Sequence, residues 1–316
     1  MGKPEILYSV RAMGGNNLRC KGWKQEGILR MLENNMENAE HPEELVIYGG
    51  IGKCARNWES YHAIVKSLQD LENDETLVVQ SGMPVAVFRT NPLAPRVVMA
   101  TTNIMKATWP IFYDLQDKNL TIYAQYTAAP WEYIGTQGVI QGTFQTLVAI
   151  RDQHFGGDMR GRILLTAGMG GMGGNQPRAM TMLGGVCICA DVDEKVVQHR
   201  LEVGYCDVIV HDFDEAVRMA KEAAAAKRPL GIALMGNAVE VLRKARDTGF
   251  TPDIITDMTP AHDPLSYIPE GVTVEAAREL RKNDREKYFK LAGASMIAQL
   301  TIMNEFYDKG VQVFEY

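Results

Sequence analysis

The chain has 316 residues, 46% of them hydrophobic and 23% charged, which is the composition of a globular protein with room for two domains and excludes a disordered or fibrous chain. Acidic residues outnumber basic ones by 39 to 33, a net charge of -6, which removes the electrostatic footprint of a general nucleic-acid binder. The five cysteines (Cys20, Cys54, Cys187, Cys189, Cys206) have no framework spacing, no apolar run reaches membrane-span length, and the opening MGKPEILYSV lacks the basic and apolar regions of a signal peptide, so a reduced, cytoplasmic chain without a membrane anchor is expected.

The first 132 residues mix short elements of both kinds. Gly14-Gly15-Asn16-Asn17 is a turn, and Trp23 to Glu37 carries Ile28, Met31 and Leu32 at helical spacing. Glu44 to Tyr48 reads as a strand stopped by Gly49-Gly50, and Tyr61 to Leu71 as a helix. Thr76 to Gln80, Val85 to Phe88 and Arg96 to Ala100 read as three further strands. Tyr123, Tyr126, Trp131 and Tyr133 form an aromatic group broken by Pro130, suited to packing at a domain interface or to a flat wall for a ring.

From residue 133 the rhythm becomes regular. A helix over Ile140 to Ile150 is followed by the strand Arg162 to Thr166, the helix Asn175 to Leu183, the strand Val186 to Ala190 and the helix Glu194 to Val203. The strand Asp207 to Val210, the helix Phe213 to Ala226, the strand Gly231 to Met235, the helix Val239 to Thr248 and the strand Asp253 to Thr256 continue the alternation. Short apolar strands alternating with helices predict an α/β fold with a doubly wound parallel sheet, because strands covered on both faces read as continuous apolar runs. Glu275 to Asp308 is expected to be helical throughout. The predicted organisation is an α/β region over 1–132 and a Rossmann-type domain over 133–316.

Gly168-Met169-Gly170-Gly171-Met172-Gly173 fits G-x-G-x-x-G between a predicted strand and a predicted helix, and Asp191 ends the next strand about 20 residues on. Alone the motif is weak and could be a turn that merely ends a strand. In this setting the glycines allow close backbone approach to a pyrophosphate, and the helix start supplies unpaired N–H groups and a positive dipole end. A carboxylate at Asp191 can accept hydrogen bonds from ribose hydroxyls and would repel a 2′-phosphate, which favours NAD over NADP. Two later loops, Gly236-Asn237-Ala238 and Asp257 to Asp263, fall at strand carboxyl ends, where open sheets bind ligands. Taken singly, Asn237 reads equally well as a helix cap and His262 as a loop histidine bonded to backbone.

Cys187 and Cys189 form C-x-C on a buried strand and read as small core residues, and the scattered histidines have no ligand spacing, so no metal site is expected. No G-x-S-x-G, Walker A or kinase set is present.

Several strings together resemble the urocanase (urocanate hydratase) family. They are LRCKGWKQEGILRMLENN from Leu18, VIYGGIGKCARNWE from Val46, DETLVVQSGMPV from Asp74, YIGTQGVIQGTF from Tyr133, LTAGMGGMGGNQP from Leu165, GNAVEV from Gly236 and TDMTPAHDPL from Thr256. The resemblance implies a cytoplasmic homodimer that holds NAD tightly and uses its nicotinamide as an electrophile toward an imidazole acrylate, so that water adds without hydride transfer. It places NAD contacts at Gly49 and Gly50, at Gln125, at Gly171-Met172-Gly173, at Asp191, and at Asn237 and Ala238. Further contacts fall on Met258, Thr259, Pro260, Ala261 and His262, on Tyr267 and Ile268, and on Tyr316. Tyr48 and the Tyr126 to Tyr133 segment are expected near the substrate ring.

The chain also departs from the family. Met83 stands where Lys is usual, YTAAPWEYIG from Tyr126 replaces MTAGSWIYIG, Met258-Thr259-Pro260 replaces Gln-Thr-Ser, Val196 replaces an arginine, and Thr101 to Trp109 is altered. A lost cation and a gained anion suggest a sulfur-bearing substrate such as thiourocanate or its S-methyl form, with neutral loop change as the alternative. The family's catalytic cysteine lies beyond the point matched by Tyr316, so none of the five cysteines is assigned to it. This implies an N-terminal portion of a longer enzyme, a remainder carried on a separate chain, or a reduced function. A conventional NAD-dependent oxidoreductase and a non-catalytic NAD-binding module remain the rival readings.

Overall fold

A computed structural model describes residues 10–100 and 108–315, which form two compact units dividing between Gly135 and Thr136. Tyr316 and most of the altered segment, 101–107, lie outside the described residues.

In the first unit, α1 (Trp23–Glu37) buries Leu29, Leu32 and Met36 at the 3–4 residue spacing of one helix face. Ile28 and Met31 flank this stripe half-buried. The helix also buries Glu26, whose carboxylate accepts from the backbone N–H of Arg19 and Cys20 and from the Arg19 and Arg30 guanidinium groups. Burial alone would raise the Glu26 carboxyl, but the hydrogen bonds from Arg30, Arg19 and Cys20 outweigh it and hold the group down to about 2. The expected strand from Glu44 starts only at β1 (Val46–Tyr48), because Pro42–Glu44 forms a 3₁₀ turn and Leu45 takes a left-handed conformation, φ 62°. A hairpin through Gly49 and Gly50 returns as β2 (Gly52–Lys53), antiparallel to β1. Next, α2 (Trp58–Asp70) starts three residues before its apolar pattern does, since the Asn57 side chain caps it by accepting from Ser60 N–H at 2.7 Å. Then β3 (Glu75–Gln80) pairs antiparallel with β4 (Met83–Arg89) and parallel with β5 (Val97–Ala100). A helix that the sequence did not show, α3 (Trp109–Asp117), stacks Trp109 on Tyr113 and Tyr123.

The second unit opens with α4 (Thr136–His154) and then alternates: β6 (Ile163–Ala167), α5 (Asn175–Met182), β7 (Val186–Asp191), α6 (Glu194–Glu202), β8 (Val208–Val210), α7 (Phe213–Ala225), β9 (Leu230–Met235), α8 (Ala238–Asp247) and β10 (Ile254–Ile255). The region expected to be one helical stretch is two helices, α9 (Val274–Asn283) and α10 (Arg285–Asp308), broken at Asp284, whose side chain accepts from Lys287 N–H to start α10. A final short strand, β11 (Gln312–Val313), closes the sheet.

All strand pairs of this sheet are parallel, in the order β11-β10-β6-β7-β9-β8. Successive residues of β6 go to opposite layers: Leu165 joins one apolar cluster with α7, α8 and α10, while Leu164 joins another with Leu147 of α4, Ala179 and Met180 of α5 and Val197 of α6. Helices therefore cover both faces, as the unbroken apolar strands predict. From β6 the chain moves to β7 on one side and later returns as β10 on the other. The carboxyl ends of β6 and β10 thus flank the topological switch point, where open α/β sheets place their ligands.

Candidate functional site

The glycine turn leaves β6 at Gly168, whose φ of +88° lies in the left-handed region. A Cβ there would come within 2.6 Å of the Met258 carbonyl carbon and 2.9 Å of Thr259 N. Glycine at 168 therefore lets the loop after β6 lie directly on the loop after β10. The interlock continues through Met258 N–H, which donates to the Ala167 carbonyl at 2.8 Å. Gly173, the last glycine of the motif, closes the turn: a Cβ would collide with the Gly168 carbonyl oxygen and lie 2.9 Å from Met258 Cβ. Gly174 N–H then donates to Gly170 O and Gln176 N–H to Gly173 O, both at 2.9 Å, which leads the turn into α5.

Asp191 ends β7 beside this turn. Its Oδ2 accepts from Met169 N–H at 2.6 Å and its Oδ1 from Asp193 N–H at 2.8 Å. Burial pushes its carboxyl above the usual aspartate range, against the pull of those two N–H groups. Met169, whose N–H is held by Asp191, is held at its carbonyl by Arg200 of α6, whose Nε donates to that oxygen at 2.9 Å. No motif or spacing marks this arginine, because its contact depends on which face of α6 meets the turn.

Asn237 caps α8 by accepting from Val239 N–H at 2.9 Å and donates through Nδ2 to the Ile268 carbonyl at 3.0 Å, so the capping reading holds. Ala238 is the first residue of that helix, and the contact to Ile268 draws the loop before α9 to the same strand ends. Within the loop after β10, buried Asp257 accepts from Thr259 N–H at 3.2 Å and from the Thr259 hydroxyl. Its carboxyl is raised by burial, partly offset by Thr259 and Gln299. Gln299 in turn accepts from the buried Tyr267 hydroxyl at 2.6 Å, so that hydroxyl is turned into the core. Met258, Thr259 and Pro260 are half-buried, whereas Ala261 and His262 are exposed. The structure thus brings Gly168, Gly173, Asp191 and Met258 together, with Met169 between the first two, and joins Asn237 to Ile268.

In the first unit, Gly49 and Gly50 have φ of 69° and 82°, and a Cβ on Gly49 would fall in the space of the Gln125 amide. Gln125 is buried, and its Oε1 has no hydrogen-bond partner. Two fully buried side chains at the start of α5 share this condition, Asn175 through Oδ1 and Gln176 through Oε1. Asn175 Nδ2 donates to the Gly171 carbonyl at 2.8 Å, which fixes the amide's orientation. Buried acceptors normally find a donor. Of the aromatic group, Trp131 is core, with Nε1 donating to the Cys54 carbonyl at 2.7 Å, and Tyr133 packs edge-on against Tyr48. The Tyr48 hydroxyl accepts from Thr127 N–H at 2.9 Å and bonds the Gln125 carbonyl at 3.2 Å, while Tyr126 is 85% exposed.

All five cysteines are buried. Burial pushes the Cys54 thiol up to about 12 and those of Cys187 and Cys189 well above the usual range, so these are inert core groups. Among the described residues no group of three or more His, Cys, Asp or Glu could hold a metal ion, and no helix is long and apolar enough to cross a membrane.

A glycine-rich strand–turn–helix at the switch point of a six-stranded parallel sheet defines a protein of the Rossmann-like class, compatible with a nucleotide cofactor. The family comparison is specific. Residues 135–316 match the urocanase Rossmann-like domain and residues 10–132 match the urocanase N-terminal domain. The chain belongs to the urocanase family, whose chemistry is of the urocanate hydratase, hydro-lyase type.

Proposed function

We propose that this chain binds NAD in its second unit and serves the hydration of urocanate or a sulfur-substituted urocanate. The observation that carries the reading is the interlocked pair of loops at the switch point, with buried acceptors at the start of α5 that lack donors. A dinucleotide offers the missing donors in its ribose hydroxyls and carboxamide. Bound there, NAD supplies an electron-poor pyridinium ring. The chain's own part is to hold the pyrophosphate at the Gly168 to Gly173 turn and the start of α5, where N–H groups and the helix dipole favour an anion. Asp191 braces that turn through Met169 N–H, and its remaining lone pairs are assigned to the adenosine ribose. The loop from Met258 to His262, with Asn237, Ala238, Tyr267, Ile268 and Tyr316, is assigned to the rest of the cofactor. For Gly49, Gly50 and Gln125 of the first unit, the reading rests on the unpartnered Gln125 oxygen. The first unit is assigned to the substrate, with Tyr126 as its open ring. A cytoplasmic homodimer belongs to the same reading.

The sulfur-bearing alternative rests on Met83, which is 41% exposed and whose Sδ lies 3.3 Å from Arg56 Nη1. A soft thioether beside a guanidinium replaces what the family resemblance would make a second cation.

The test is to release bound nucleotide from the purified chain by heat, identify it, and follow urocanate, thiourocanate and S-methylthiourocanate by absorbance. Co-purifying NAD, with loss of one substrate's absorbance and no reduced nicotinamide, is the expected result. Accumulating reduced nicotinamide would make the protein an oxidoreductase, and bound NAD with no substrate loss, even when a complementing C-terminal chain is supplied, would make it a binding module.

A further inference from the structure

The glycine turn carries a cation that the nucleotide-binding motif does not include. Arg200 lies on α6 with its Nε on the Met169 carbonyl, and its guanidinium carbon sits 5.4 Å from the centre of the Tyr205 ring. Tyr205 is itself tied to the start of α4 through Thr136 Oγ1 at 2.5 Å, so the guanidinium is backed by a fixed ring. Position 174 is open to it: a Cβ on Gly174 would lie 2.6 Å from Arg200 Nε and 2.9 Å from its Cδ. Gly174 is the N-cap of α5, which places a full positive charge across the positive end of a helix. That arrangement is unfavourable unless an anion shares it. Among the described residues no carboxylate pairs with Arg200, and its two terminal nitrogens make no hydrogen bond. Beside it, the fully buried Asn175 keeps Oδ1 without a donor, a second sign that the start of α5 is built around a group not supplied by the protein.

We propose that Arg200 is a phosphate-binding residue of the glycine turn, its terminal nitrogens meeting the pyrophosphate of the dinucleotide while its Nε braces the Met169 carbonyl. The inference rests on the reading of the turn as a dinucleotide site. It explains why glycine stands at 174, one residue past the motif. Backbone N–H groups alone provide partial charges, whereas a guanidinium adds charge-assisted, two-pronged hydrogen bonds to phosphate oxygens.

The full chain, stripped of nucleotide on charcoal, is tested by equilibrium dialysis with ADP-ribose and with adenosine, which has no phosphate. R200Q keeps a donor for the Met169 carbonyl and loses the charge, and R200K keeps a charge. R200Q is expected to bind ADP-ribose about tenfold or more weakly, with a shallower salt dependence, while adenosine binding stays within about twofold. R200K is expected to recover most of the loss. ADP-ribose binding by R200Q equal to wild type, or an equal loss for both ligands, would overturn the assignment and leave Arg200 a brace. If wild type binds neither ligand, the dinucleotide reading itself falls. Matched thermal melting of the variants separates either result from unfolding.

Discussion

At the scale of single residues, the site is set by groups whose burial is opposed by local hydrogen bonds. Asp257 is the plainest case, because burial raises its carboxyl above its ordinary value of 3.8 while Thr259 and Gln299 pull the other way. A carboxyl whose folded-state value is raised is protonated more readily when folded, so it destabilises the fold increasingly as pH rises above the unfolded value, and the penalty disappears in acid. Asp257→Asn should therefore melt higher than wild type at pH 8, with the gap closing as pH falls toward 4. Thermal melts of both proteins across that range check this, and a gap that is constant or grows in acid would contradict it. Gly173 shows how far a motif can be read. Its need for close approach was legible in G-x-G-x-x-G, but its nearest neighbour proves to be the chain's own Gly168 carbonyl. Spacing tells that a Cβ is barred there, and only the fold tells by what. Asn237 was legible as a cap, and the fold supplies the cap's partner, Val239 N–H, together with one that no spacing shows, the Ile268 carbonyl.

At the scale of elements, each long strand of the parallel sheet was legible, because both faces of β6, β7 and β9 are buried and their sequences are continuously apolar. Two of the short strands were not. β2 and β11 have two residues each, too few to show a period, and they exist through pairing with β1 and β10. The expected single helix from Glu275 fails at Asp284, where φ −152° and ψ 76° leave the helical region. Between Leu280 and Tyr288 the chain carries only charged and polar residues, Asp284 among them, which elsewhere sit comfortably on a helix surface. Its capping bond to Lys287 N–H at 2.9 Å starts the 24-residue α10. Asp284→Ala should cost about 1 kcal/mol of stability, the usual loss on removing such a cap. Urea denaturation with an unchanged m-value would measure it, and a change within error would show that tertiary packing alone fixes the break.

At the scale of the whole molecule, both halves of the sequence match domains of one family, and the parallel sheet supplies the scaffold for the nucleotide reading. The change of rhythm in the sequence falls near residue 133, and the two compact units divide between Gly135 and Thr136. What remained hidden was the strand order, in which β9 lies between β7 and β8. Order depends on how each crossover helix packs, and no local pattern encodes it. If the second unit holds NAD in its folded state alone, occupancy must raise stability by mass action, about 2.7 kcal/mol at a hundredfold excess over Kd. Stripping the nucleotide should lower the melting temperature by several degrees, and re-adding NAD should restore it where NADP does not, given the Asp191 carboxylate. Equal recovery with NADP would remove Asp191 from the adenosine ribose.

The seam between Gly168 and Met258 also bears on how this protein can change over generations. At most strand ends an inserted residue bulges into solvent and is tolerated. Here the two loops share a boundary with no space even for a methyl group, so lengthening one displaces the other. Changes on either side of that seam should be non-additive in their energetic effect. New substrate preferences are more readily acquired elsewhere in the chain than by remodelling this joint.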